Sequence, residues 1–286
     1  MQKIKKILMI IAYILILIVG ILIAAFLTGR TGRNYNICEE KENIKINNTI
    51  YKCNEFAELY KPLMLIRDNT PSPPLLWIWY EVINNPKDTN TTNIVYYFNW
   101  ENEINPSKAI NQYYSIFRAA YFGYPLYDIE FFQLSIDNNN GNVKKIKFET
   151  APSDDYSPKI VEHIVLGATL NENDIYHEIK SSKKDNTIIA EQDKKVAFQN
   201  KRVLAGVQTW NHLSRLICDQ KSDIFNSEID APLRYLSNSD YKNYKFSRKS
   251  QGDFKTSETG ISKLIGLLAV LFFVGFPIFL LNKLKR

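Results

Sequence analysis

Residues 127–149 read YDIEFFQLSIDNNNGNVKKIKFE, and this stretch decides the fold class. Tyr127 to Ile136 is β-prone, Asp137-Asn138-Asn139-Asn140-Gly141 interrupts it, and Asn142 to Glu149 returns. Asn and Gly accept positive φ, so such a loop between two alternating runs marks a β-hairpin. In the return run Val143, Ile146 and Phe148 alternate imperfectly with Lys144, Lys145 and Lys147, which predicts one wet face.

The flanking sequence repeats this texture. Pro73-Pro74 punctuates the chain before Leu75 to Ile83, where aromatic and β-branched residues dominate, and Asn93 to Trp100 is a second run of that kind. Further strands are expected at 160–168, 186–190 and 202–210. One helix interrupts the pattern. Asn105 can cap it, Pro106 suits its first turn and Gly123 its exit. Ala109, Ile110, Tyr113, Phe117 and Ala120 recur at three and four residues, a stripe expected to pack on the sheet. A shorter helix is expected from Cys53 to Tyr60. The fold class is therefore mainly β, sandwich-like with one or two inserted helices, with α+β as the alternative.

The formal charge of +6 belongs to the ends of the 286-residue chain. Residues 1–33 carry five bases and no acid, and residues 261–286 carry four bases and no acid. The span 34–260 holds 27 bases against 30 acids, a net of −3, so the basic balance gives no argument for nucleic acid. Ile7 to Leu27 is an uncharged run of 21 residues, and Leu264 to Leu281 is another of 18. As helices they reach roughly 31 Å and 27 Å, each close to one hydrocarbon core. The expected order is a cytoplasmic tail (1–6), a transmembrane helix (7–27), a stalk (28–49), an exported β-rich domain (50–217), a polar stalk (218–262), a second transmembrane helix (263–281) and a second cytoplasmic tail (282–286). Bases at both tails favour this orientation, against Arg30, Arg33, Lys255 and Lys263 on the other side. The sequons at Asn47 and Asn90 suit export as glycosylation sites. Cys38 and Cys53, 15 positions apart, suit a disulfide in an oxidising compartment, with Cys218 left as a buried thiol.

Three histidines are poor material for a metal centre or a histidine-dependent triad, and no phosphate loop, nucleophile elbow or Cys-x-x-Cys is present. The constellation with chemical content is acidic. Asp128 and Glu130 lie two apart on one strand, so they share a face that continues into Phe132, Leu134 and Ile136. Two carboxylates at the mouth of an apolar face can bind a divalent cation or act as an acid/base pair. His163 is the candidate third ligand, and Glu101 is a further candidate catalytic carboxylate. The competing expectation is that these acids pair with Arg118, Arg202 or a lysine.

The Asp128-Ile129-Glu130 spacing resembles the Asp-x-Glu of secreted necrosis-inducing-type proteins. There a Gly-His-Arg-His run precedes it, whereas here Tyr124-Pro125-Leu126-Tyr127 does, so the likeness covers three residues. Trp210-Asn211-His212-Leu213-Ser214-Arg215 reads as a polar-aromatic surface or a strand end closed by local hydrogen bonds. The expected function is a membrane-anchored module that binds a protein partner or supports a membrane assembly, with the lipid bilayer itself as a partner and no cofactor required. The alternative is a metal-dependent hydrolase using the Asp-x-Glu pair.

Overall fold

The computed structural model describes residues 35–67, 73–84, 89–122, 128–151, 163–181, 188–218 and 225–243, together with position 14. The strands begin with β1 (Ile37–Cys38), β2 (Asn43–Ile46), β3 (Thr49–Lys52), β4 (Leu63–Ile66), β5 (Leu75–Asn84), β6 (Thr91–Trp100), β7 (Asp128–Asp137), β8 (Val143–Thr150) and β9 (Ile164–Thr169). They continue as β10 (Ile175–Ser181), β11 (Ile188–Lys195), β12 (Phe198–Gln199), β13 (Arg202–Val207), β14 (Ser214–Leu216), β15 (Ser227–Ile229) and β16 (Leu233–Tyr235). Three helices are present among the described residues: α1 (Cys53–Tyr60), α2 (Lys108–Phe122) and α3 (Asn238–Asn243).

Two sheets carry the domain, as the alternating runs predict. The larger has the order β1-β5-β6-β7-β8-β9, antiparallel throughout, with β16 added in parallel to β5. The smaller has the order β12-β13-β4-β15, with β14 also paired to β13. One apolar core joins them: Ile78, Tyr96, Phe98, Phe132 and Leu134 from the large sheet cluster with Met64, Val203, Ala205 and Leu216 from the small one. Each fully buried side chain of this kind stabilises the fold by about 1.5–3 kcal/mol. The opposite face of the central strands is buried as well, at Trp79, Val95, Tyr97 and Phe131. This is why β5 and β6 read as near-continuous apolar runs. Glu81 on that face is fully buried and accepts hydrogen bonds from Tyr97 at 2.5 Å and Tyr35 at 2.9 Å.

The β7–β8 hairpin forms where the sequence places it, closed by Gly141 at φ +73°. Its register shifts between Ser135 and Ile136, which pair with Lys145 and Val143. The bulge absorbs Lys144, and this is the physical reason for the imperfect alternation. Helix α1 packs against the same core through Phe56, Ala57 and Tyr60. Tyr96 donates to Ala57 O at 2.7 Å and Tyr60 donates to Gly141 O at 2.6 Å, which ties the helix to both β6 and the hairpin.

The structure adds to these expectations at the edges of the domain and at α2. The compact unit runs from Tyr35 to Leu236, wider than 50–217. β1, β15 and β16, in segments read as stalk, supply backbone hydrogen bonds to the two sheets, a role that few apolar side chains reveal. The first part of the α2 stripe is turned to solvent rather than buried, at Ala109, Ile110 and Tyr113, while the Phe117 and Ala120 side chains lie outside the described residues. The expected membrane runs 7–27 and 263–281, apart from Ile14, lie outside the described residues, as do 244–262 of the C-terminal stalk. Among the described residues no helix is long and apolar enough to cross a membrane.

Cys38 and Cys53 form a disulfide with Cα atoms 6.3 Å apart, linking β1 to the first residue of α1. Cys218 lies outside it and is partly exposed. Asn47 and Asn90 are both exposed, Asn47 in the β2–β3 turn at φ +46°, whereas Thr92 of the second sequon is buried and donates to Asn138 Oδ1 at 2.8 Å. Replacing Cys38 and Cys53 together by Ser should cost about 3 kcal/mol, the loop-closure contribution for a loop of this length. The denaturant midpoint of the oxidised wild type against that variant measures it. In the hairpin, Lys144 meets Asp137 at 2.6 Å, and this hydrogen bond holds the Asp137 carboxyl below its ordinary value of 3.8. A depressed acid stabilises the fold above its unfolded pKa and loses that contribution as pH falls through the folded one. Lys144→Met should therefore lower the melting temperature at neutral pH, with the difference persisting down to pH 3.8 and closing only at more acidic pH.

Candidate functional site

Strand β7 begins with Asp128 and ends its first turn of the pleat at Glu130, so both side chains enter the sandwich interior with Phe132 and Leu134. Asp128 is 6% exposed and Glu130 1%. Their cross-strand partners on β6 are Trp100 and Phe98. A carboxylate in such a setting needs a compensating charge or hydrogen-bond donors, because desolvation disfavours it by several kcal/mol.

The structure supplies two different answers. Glu130 converges with Glu149, near the end of β8, and His163, the residue before β9, with one ligand atom from each lying within 4.8 Å of the others. Thr150 pairs with Ile164, so the β8–β9 register brings Glu149 and His163 to the same end of the sheet. Glu130 is buried and His163 exposed, which makes the cluster a site at the rim, open on the histidine side. Two carboxylates and one imidazole offer two negative charges and a neutral nitrogen, a donor set that suits Zn2+ or Mn2+ with further positions left open. Repulsion between the two carboxylates makes a cation at their centre favourable.

Asp128 takes the second answer. His212 Nδ1 lies 3.0 Å from Asp128 Oδ2, and the imidazole stacks on Trp100 with centroids 4.2 Å apart and planes 7° from parallel. His212 is 1% exposed, and its Nε2 is buried without a hydrogen-bond partner among the described residues.

Both answers meet in the turn between β13 and β14. Gln208 N donates to Leu213 O at 2.8 Å and His212 N to Thr209 O at 3.1 Å. The Thr209 hydroxyl donates to Asn211 Oδ1 at 2.6 Å and accepts from Leu213 N at 3.2 Å. His212 sits at φ +60°, a left-handed conformation that non-glycine residues rarely adopt. The result aims adjacent side chains at both halves of the site. Asn211 Nδ2 lies 2.9 Å from His163 Nε2, while His212 reaches Asp128. Asn211 Nδ2 donates here, so His163 Nε2 accepts and the neutral ring carries its proton on Nδ1; for the ring to offer a lone pair to a cation, this hydrogen bond has to give way or the Asn211 amide has to turn over.

Of the sequence candidates, Glu130 and His163 come together, Asp128 is held by His212 instead, and Glu101 is exposed and outside the cluster. Arg202, an expected partner of the acids, donates through Nε to Lys61 O at 2.8 Å, and the Arg118 side chain lies outside the described residues. Glu149 and His212 were not singled out as ligands or acid/base groups. Glu149 closes the hairpin that decides the fold, and His212 sits in the polar-aromatic segment already conspicuous in the sequence. The third histidine, His177, pairs with Asp193 at 2.8 Å across β10 and β11, on the surface.

No family model matches the chain, and no curated protein matches it. Among solved structures it is similar to NLPPya in complex with mannosamine, at 9% identity and a TM-score of 0.36, over 75% of this chain and 88% of that one. It is similar also to necrosis and ethylene inducing protein 2 from the causal agent of cocoa's witches' broom disease, at 9% identity and a TM-score of 0.36, over 80% of this chain and 95% of that one. A likeness at this level assigns neither family nor function.

His212→Ala removes a buried stack and a buried hydrogen bond together, and should cost about 2–4 kcal/mol. His177→Ala, at the exposed pair, should cost about 0–1 kcal/mol. Urea unfolding midpoints of the two variants make the comparison.

Proposed function

We propose that the chain is a membrane-anchored, extracytoplasmic β-rich module that holds one divalent cation and presents it to a partner. The convergence of Glu130, Glu149 and His163 within 4.8 Å carries the cation part of this reading. The exposed side of the cluster, at His163, leaves room for a partner's oxygen ligand, a carboxylate or a vicinal diol, to complete the coordination. The anchoring part rests on the two uncharged runs at 7–27 and 264–281 and on the bases beyond each of them. The disulfide and the exposed Asn47 and Asn90 of the two sequons support placement outside the cytoplasm.

A metal-dependent hydrolase is the second reading, and the Asp128–His212 pair is the observation that favours it. In it Glu130, Glu149 and His163 would hold the cation, which would supply a more acidic bound water, and the Asp128–His212 pair would be the candidate proton acceptor. Burial weighs against this assignment, since His212 is 1% exposed and its Nε2 is shielded from water. A binding role requires no such access.

Thermal unfolding of the full chain in detergent micelles, with Mn2+, Zn2+ or chelator, tests the cation. At a hundredfold excess over Kd the cation should raise the domain's melting temperature by about 5–10 °C relative to chelator. Glu130→Gln and Glu149→Gln should each abolish the shift. No shift in wild type, or an equal shift in both variants, overturns the site. If His212→Gln keeps the cation shift but loses a measured hydrolytic activity, the second reading replaces the first.

A further inference from the structure

Asn211 meets His163 in the wrong sense for a cation ligand. The Asn211 side chain is buried, at 3% exposure, and His163 is exposed. Asn211 Nδ2 donates to His163 Nε2 at 2.9 Å, and Asn211 Oδ1 accepts the Thr209 hydroxyl proton at 2.6 Å. In this orientation the Nε2 lone pair is occupied and Nδ1 carries the proton, so neither ring nitrogen offers a lone pair to the cluster with Glu130 and Glu149. Two changes release one. Pushing Asn211 away from Nε2 strands a buried amide, because Thr209 and the backbone bonds of the turn hold it in place. Turning the amide over keeps both of its ends paired. Thr209 Oγ1 has two lone pairs, and Leu213 N uses one of them at 3.2 Å, so the other can accept from Nδ2. The cost is the hydrogen bond that the Thr209 hydroxyl donates, which is why the site without a cation rests in the first orientation.

We propose that Asn211 is the positioning residue of this site, its amide turning over as a cation binds, so that Oδ1 accepts Nε2–H of His163 and Nδ1 becomes the ligand atom. The proposal rests on the cation reading above and adds to it the residue that sets the ring's tautomer. Protons balance: Nδ1 gives one to water and Nε2 takes one up, so the ring stays neutral, and the exposure of His163 allows the exchange. A metal-bound imidazole held at its other nitrogen by an oxygen acceptor is the stable arrangement. Selectivity between cations follows. Imidazole nitrogen suits Zn2+, which therefore repays the lost Thr209 bond. Ca2+ takes oxygen ligands, so it gains nothing from the released nitrogen and leaves the amide as it was.

The test uses the full chain in detergent micelles and mildly alkaline buffer, with nitrogen-15 in the histidine rings and asparagine side chains. The chain has three histidines, and His163→Gln identifies the ring concerned. Without metal, nuclear magnetic resonance should show the His163 proton on Nδ1 and a scalar coupling across the Asn211–His163 hydrogen bond. Zn2+ should abolish that coupling and place the proton on Nε2, whereas Ca2+ should leave both unchanged. By calorimetry Asn211→Ala should weaken Zn2+ binding about 10–100-fold, the usual loss when an outer-shell partner is removed. Asn211→Asp, which accepts at both oxygens, should keep the wild-type affinity or better it, and should show Nε2–H before metal is added. Zn2+ bound through Nε2, with the proton still on Nδ1, overturns the proposal and leaves the cation site standing. So does an Asn211→Ala affinity equal to or tighter than wild type. Zn2+ that neither binds nor moves any His163 resonance overturns the cation reading itself, and the proposal with it.

Discussion

The parity of strand β7 is the constraint from which the rest follows. Phe132, Leu134 and Ile136 must face the core, and a strand's period of two then commits Glu130 and Asp128 to that same face. A slip of one residue would release both carboxylates to the other side, but it would also remove three large side chains from the core. Each of those is worth about 1.5–3 kcal/mol, so the apolar residues fix the register and the acids are carried in with them. Everything near the site then answers one electrostatic problem: two carboxylates inside a protein. His212 with its Trp100 platform answers it for Asp128, and the cluster with Glu149 and His163 gathers around Glu130.

Local chemistry was legible in the sequence because it is written in neighbouring residues. The Asn/Gly hairpin, the α1 span from Cys53 to Tyr60 and the Cys38–Cys53 pairing each depend on short-range composition or on one closing distance. Edge strands were not legible. β1, β15 and β16 are two or three residues long and join through the backbone, so their side chains need no apolar pattern. The α2 stripe was visible as a stripe, but periodicity gives the angle between side chains and not the direction in which Ala109, Ile110 and Tyr113 face. For the site, shared parity of Asp128 and Glu130 was legible, while their separate fates were not. Which acid meets which histidine is settled by β8–β9 register and by one turn, both distant in sequence.

That turn does more than close two strands. Thr209 binds the Asn211 side chain and the Leu213 backbone, and the left-handed conformation of His212 swings its ring to Asp128 while Asn211 reaches His163. Two adjacent residues thus connect the buried pair to the open cluster. A cation drawing on His163 would change what Asn211 can donate or accept, and Asn211 is covalently next to the residue that holds Asp128. Coupling of this kind needs no moving domain. It needs only that the turn be rigid, and its hydrogen bonds, both backbone and hydroxyl, provide that rigidity. The buried acid, the strained turn and the rim cluster therefore form one arrangement, in which stability inside the sandwich is exchanged for donor atoms held at its edge.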